Sequence, residues 1–349
     1  MSRLKPQRRQ RGAALLLALL IMTLVATLAA GMVWLQWRGI EVEAAERARA
    51  QADWLLNASL DWGNLILKSS IRNGDPDDDL GQPWATPLEE TKLSSFLSAD
   101  GSHSEDSGPE AYLSGQITDA QSKYNLYNLV GIQGAGKNTE VQRLQILLEA
   151  IGVSPDVGQT IVAGMRASYT AQQNLVDQPG QADSSGSVLM PLELADLAWY
   201  GIDPKVIKQL QPFVQIIPFT GTTAMTINAN TAPAEVLMAG CGLPAITRAQ
   251  AEAAVVKRQQ GPFISNAGIL AGLGIGNANV NNVCSQTASR DSPPGAPLSI
   301  LGFKSQYFEI YGQLRYEQHV IRERSVIYRK DQFTPVQVLR RERIAPDAT

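Results

Sequence analysis

Apolar residues are spaced in three different ways along this chain. From Ala13 to Trp37 there are 25 consecutive residues without a charge, mostly Ala, Leu, Ile, Met and Val. At 1.5 Å per residue, such a run crosses a hydrocarbon core of roughly 30 Å as one helix. Ile40, Ala44, Ala45, Ala48, Ala52, Leu55, Leu56 and Ser59 then recur three and four apart, with Glu, Arg and Gln between them. That spacing continues the helix, and no Pro or Gly interrupts residues 40–62. A single helix of about 60 residues, on the order of 90 Å long, is predicted.

Residues 73–110 are rich in Gly, Asp, Pro and Ser and read as loop. Tyr112, Leu113, Ile117 and Tyr124, interrupted by turn residues at 119–122, predict a hairpin over 110–126. Helical spacing returns at 139–166, broken at Gly152 to Pro155, and again at 192–213, 232–241 and 245–260. At the end of the chain the period changes to two. Residues 303–316, 318–329 and 336–343 alternate apolar with polar and predict three antiparallel strands.

Charge adds an orientation. Residues 1–40 hold six Lys or Arg and no acid, whereas 41–301 hold 15 basic and 27 acidic residues. Arg3, Lys5, Arg8, Arg9 and Arg11 precede the apolar run and Glu41, Glu43 and Glu46 follow it, so the N-terminus is expected in the cytoplasm and the remainder outside. A cleavable secretory signal is disfavoured, because its apolar region is usually 7 to 15 residues and ends in a small-residue cleavage site. The acidic middle argues against a nucleic-acid partner. Two histidines, His103 and His319, and two cysteines, Cys241 and Cys284, leave no cluster for a zinc site. No nucleophile elbow or metal pair is present, and no enzymatic activity is expected.

The basic leader ending in Gly12, followed by Ala13-Ala14-Leu15-Leu16-Leu17, resembles the signal of type IV prepilins and pseudopilins. The resemblance implies cleavage by prepilin peptidase after Gly12 and methylation of the new N-terminus at Ala13. Those proteins carry Glu at the fifth mature position, where this chain has Leu17. Its absence is a peculiarity of the K-type minor pseudopilins of type II secretion, and other stretches are similar to that family. They are Ile117-Thr118-Asp119-Ala120-Gln121-Ser122-Lys123-Tyr124-Asn125-Leu126, Leu192-Glu193-Leu194, Leu210-Gln211-Pro212-Phe213-Val214 and Thr226-Ile227-Asn228-Ala229-Asn230-Thr231-Ala232.

The resemblance implies an α+β, type IV pilin-like fold: a long N-terminal transmembrane helix packed on an antiparallel sheet, interrupted by a helical insert. The expected divisions are a leader (1–12), a membrane helix (13–37), the pilin helix and first part of the sheet domain (38–126), the insert (127–300) and the closing strands (301–345). The implied role is a tip subunit in the bacterial inner membrane with its main domain in the periplasm. It would start assembly with minor pseudopilins I and J, contact other pseudopilus subunits and support export of folded proteins.

Four features invite other chemistry. Gly131-x4-Gly136-Lys137 approaches a phosphate-binding loop, but Asn138 stands where Ser or Thr should hold magnesium. Asn228 to Cys284 resembles helix-hairpin-helix units, with Gly242-Leu243-Pro244 and Leu273-Gly274-Ile275-Gly276 as hairpins. Their alternative reading is a membrane-anchored DNA-binding protein, although residues 228–290 hold only Arg248, Lys257, Arg258 and Arg290 as bases. Asp75, Asp77, Asp78 and Asp79 offer oxygens to calcium, without EF-hand spacing. Cys241 and Cys284, in the exterior part, are expected to form a disulfide.

Overall fold

The computed structural model describes residues 11–72, 74–92, 111–132, 136–177, 189–219, 223–242, 246–275, 284, 299–316, 319–331 and 333–344. The chain divides into two compact units, Met1–Ala58 and Ser59–Thr349.

Helix α1 runs Arg11–Arg72, 62 residues, so its greater part forms the first unit. The apolar stretch presents Leu15 to Trp37 to the outside on every face, with a mean hydropathy of 2.5 in its best window. Thr23 and Thr27 donate their hydroxyls to the Leu20 and Leu24 carbonyls (3.0 and 2.9 Å), so neither presents an unsatisfied polar group to a hydrocarbon surround. The helix ends where Gly74 adopts φ +77° and returns its N–H to the Ile71 carbonyl at 3.0 Å.

The second unit is built on a five-stranded antiparallel sheet. Its strands are β1 (Leu88–Lys92), β2 (Ala111–Asp119), β7 (Tyr307–Tyr316), β8 (His319–Tyr328) and β9 (Gln337–Ile344), in that spatial order. Alternation works as expected along β7, where Phe308, Ile310, Gly312, Leu314 and Tyr316 are buried and the residues between them are half-buried. Leu60 and Leu67 of the last turns of α1 pack on Ile117, Phe308, Ile310 and Ile327. Trp84 closes this core with its ring edge-on to Phe308, centroids 5.2 Å apart.

Between β2 and β7 the chain leaves the sheet and builds a helical body. It comprises α2 (Asn128–Gly131), α3 (Gly136–Ala150), α4 (Pro155–Asp177), α5 (Pro204–Leu210), α6 (Ala234–Cys241), α7 (Arg248–Arg258) and α8 (Asn266–Gly272). Two short parallel pairs tie its segments together: β3 (Tyr124–Asn125) with β4 (Val214–Gln215), and β5 (Ile227–Asn228) with β6 (Leu301–Gly302). Leu144, Leu147, Leu148, Ile161, Met165 and Leu237 lie in its core.

Several sequence expectations change. The hairpin over 110–126 does not form. The Asp119 carboxylate accepts from the Gln121 N–H at 2.8 Å and shapes a 3-10 turn, Ala120–Ser122, which sends the chain out of the sheet. Residues 73–110 are not all loop, because β1 is recruited by pairing with β2 although Leu-Glu-Glu-Thr-Lys has no apolar alternation. The segment 192–213 splits into a 3-10 turn, Leu194–Tyr200, and α5. Gly201 (φ +80°) ends the turn, and the Asp203 carboxylate accepts from the Lys205 N–H to start the helix. Helix α4 continues to Asp177, beyond the expected 166.

Candidate functional site: a buried polar junction and an exposed apolar helix

The described part of the anchor carries Leu17 on the outside of α1, among other apolar side chains. The leader before Arg11 lies outside the described residues, as do the side chains of Arg11 and Ala13 and all of His103. The side chain of His319 does too. The phosphate-loop candidate has its residues 133–135 outside as well, and Gly131 ends the short helix α2.

Where sheet and insert meet, polar side chains from six separated segments converge. The Asp119 carboxylate, at the end of β2, is almost fully buried. Its Oδ2 accepts from Thr231 Oγ1 (2.6 Å), Ser305 Oγ (2.6 Å) and Asn228 Nδ2 (2.9 Å). Asn228 also donates to the Asp78 carbonyl at 2.9 Å. The Ser305 N–H donates to Asp78 Oδ2 at 2.8 Å, and Arg329 Nη2 lies 2.6 Å from Asp78 Oδ1. Arg329 then reaches the end of α1, donating to the Leu67 carbonyl (2.9 Å) and Ser70 Oγ (2.8 Å), with its guanidinium 4.4 Å from the centre of the Phe308 ring. Beside this chain, Gln121 donates to Thr226 and accepts from the Gln306 N–H. A buried carboxylate without a cation costs free energy, and burial pushes Asp119 up to about 6 against four hydrogen bonds that pull it down.

The acidic run thus has separate uses. Asp78 is paired with Arg329, and Asp79 Oδ1 accepts from the Gly81 N–H at 2.5 Å. Asp77 is pushed up to about 6, first by burial and then by the charges of Asp79 and Asp78. Among the described residues no group of three or more His, Cys, Asp or Glu side chains is arranged to hold a metal ion.

A second buried pair stitches the insert itself. Glu140 accepts from Arg143 Nε at 2.9 Å and from the Tyr124 hydroxyl at 3.0 Å, while Arg143 Nη1 donates to the Ala239 and Gly240 carbonyls at the end of α6. A cation there completes carbonyls that have no helical partner. Cys241, the last residue of α6, is joined to Cys284 by a disulfide. The first hairpin candidate starts at Gly242 with φ +94°, and its residues 243–245 lie outside the described ones, as do those from 276 in the second. Of the bases there, Arg248 pairs with Glu235 at 2.7 Å and Arg258 donates to the Ala229 and Ala232 carbonyls. Both guanidiniums are thereby engaged by groups of the protein, that of Arg248 at the surface.

Against the outer part of the sheet lies an apolar groove of about 240 Å³, walled by Leu60, Trp62, Ile66, Trp84 and Leu88. Its floor is bare because Gly115 of β2 and Gly312 of β7 are direct cross-strand partners.

A long N-terminal apolar helix, a helix-backed antiparallel sheet and a helical insert between two neighbouring strands define a pilin-like protein with, among the described residues, one helix long and apolar enough to cross a membrane. The family profile described as type II secretion system (T2SS), protein K, matches residues 227–288. The type II secretion system protein K of Pectobacterium carotovorum subsp. carotovorum is 27% identical over 354 residues, 96% of each chain. That of Pseudomonas aeruginosa is 26% identical over 247 residues, 67% of this chain and 68% of the relative. A chain in the crystal structure of the GspK-GspI-GspJ complex from the enterotoxigenic Escherichia coli type 2 secretion system superposes with a TM-score of 0.58. It is 16% identical and covers 86% of this chain and 98% of its own, a likeness of fold. The chain is thus similar to type II secretion system protein K over a profile in its helical insert and, at 27% identity, over nearly its whole length.

Sequence reasoning missed Arg329 and Ser305 entirely, since their partners are up to 262 residues away in the chain. It touched Asp119, Gln121, Asn228 and Thr231 only as parts of family-like stretches. A polar residue inside an otherwise apolar alternation, such as Asp119 closing β2, was the available signal.

Proposed function

We propose that this chain is the tip subunit of a periplasmic pseudopilus, where it meets minor pseudopilins I and J, starts assembly and supports export of folded proteins. Leu17 carries this reading. A carboxylate in the bilayer costs several kcal/mol on most scales unless paired. In the filament, the usual Glu would pair with the terminal amine of the subunit ahead, and a tip subunit has none. The bulk of the insert between β2 and β7 supports the same position, since it would crowd a subunit stacked above. The five bases before the apolar run support a cytoplasmic N-terminus and a periplasmic main domain. The role is that of a scaffold rather than a catalyst.

Quantitative mass spectrometry of isolated pseudopili tests this. The chain should occur at very low stoichiometry relative to the major subunit and co-purify with I and J, and Leu17→Glu should leave secretion nearly unchanged. Finding it in amounts comparable to the major subunit would overturn the tip position.

A further inference from the structure

Asp119 is a buried acid surrounded by neutral donors. Its carboxylate takes hydrogen bonds from the Gln121 N–H, Asn228, Thr231 and Ser305, and none of these carries a charge. The charged groups on the surrounding elements are engaged elsewhere. Asp78 of the acidic loop and Arg329 at the end of β8 are bound to each other. Arg258 of α7 is held by the Ala229 and Ala232 carbonyls. Lys123, beyond the 3-10 turn, is pushed down by burial, with the charge of Glu309 on β7 acting against that shift. Asp77 receives a hydrogen bond from Asn230 at 3.3 Å, and Lys304 lines the open cleft with Asp75 and Asp331. A carboxylate held in this way gains from neutralisation, provided that its proton has somewhere to point.

The geometry supplies that acceptor. Thr231 and Ser305 are hydroxyls, which donate or accept by rotation alone. Thr231 Oγ1 lies 2.6 Å from Asp119 Oδ2 and 3.4 Å from the Asn228 carbonyl. When Asp119 is ionised, the Thr231 hydroxyl points at the carboxylate. When it is protonated, the same hydroxyl turns towards Asn228 O and accepts the Asp119 proton. Both states keep the heavy atoms in place.

We propose that Asp119, with Thr231 and Ser305, forms a buried proton-binding site at the junction of sheet and insert, and that the junction is held more tightly with the proton bound. The site joins β2 to the turn after β5 and to the turn before β7, so proton uptake acts on the contact between the sheet and the helical body. It is independent of the tip position. Burial places the uptake near pH 6, between about pH 5 and 7.

Isotope-edited infrared difference spectroscopy on the full chain in detergent reads the site directly. A buried protonated-carboxyl band should grow as the pH is lowered through about 6. Asp119→Asn should remove that band. Thr231→Val keeps the shape of the side chain but deletes the hydroxyl that donates to the ionised form and accepts from the protonated one, so it should displace the midpoint from its wild-type value by about one pH unit. A purely structural Thr231 would leave the midpoint where it is. If Asp119→Asn does not fold, the shift in Thr231→Val decides. No buried carboxyl titrating in this range, or one whose midpoint ignores Thr231→Val, would overturn the proposal.

Discussion

Arg329 and Asp78 stand 251 residues apart in the chain, yet their side chains meet at 2.6 Å, both buried, at the point where α1 ends and β8 finishes. The pair holds no surface position. It fixes the acidic loop against the sheet and supplies donors to the Leu67 carbonyl and Ser70 hydroxyl of the helix.

Replacing Arg329 by Met leaves the Asp78 charge buried without its partner, which typically costs about 3–5 kcal/mol. Chemical denaturation of the full chain in detergent should show this loss. The double variant with Asp78→Asn should recover part of it, because no charge is then stranded. Equal instability of single and double variants would mean that packing of the guanidinium on Phe308 dominates.

Asp77 gives a pH dependence with a defined sign. Its carboxyl is raised from 3.8 to about 6, so between these values the folded state holds more protons than the unfolded one. Its contribution is fully present below about 3.8 and is lost as the pH rises through about 6. Asp77→Asn removes the neighbouring repulsion, and thermal midpoints should show it to be more stable than wild type at pH 7.5 but not at pH 5. An advantage of the same size at both values would contradict the assignment.

The disulfide closes the end of α6 onto Cys284 across 43 residues of sequence. Cys284→Ser should lower stability by about 2–4 kcal/mol. Mass spectrometry without reductant should find the Cys241–Cys284 cross-linked peptide in chain taken from the cell envelope; free thiols there would refute it.

Processing follows from the leader. N-terminal sequencing of the mature chain should begin at Ala13, and Gly12→Val should accumulate the uncut precursor. A mature end beyond residue 30 would point to ordinary signal peptidase cleavage instead.

Strand β7 was legible because one of its faces meets a core and the other does not, so period two survives in residues 307–316. The anchor was legible because a bilayer-length apolar run has few other uses. Strand β1 was not, since Leu88 to Lys92 owe their conformation to β2 rather than to their own pattern. The supposed hairpin failed for a related reason: Asp119 to Ser122 have turn composition, and composition does not say whether a turn returns the chain to the same sheet. The polar junction was hidden most completely. Its donors and acceptors are ordinary Asp, Asn, Thr and Ser residues whose meaning arises only when distant segments meet.

The insertion of the helical body between two adjacent strands has a consequence for synthesis. Thr118 of β2 donates its hydroxyl to the Glu309 carbonyl of β7, 191 residues later. At about 5–20 residues per second, that interval corresponds to roughly 10 to 40 s during which β2 has no inner neighbour. An unpaired strand with apolar Leu113 and Ile117 is open to wrong partners for all of that time. The last 50 or so residues of the chain therefore act as its folding switch, and a ribosome stalled before them leaves a sheet with only its outer pair.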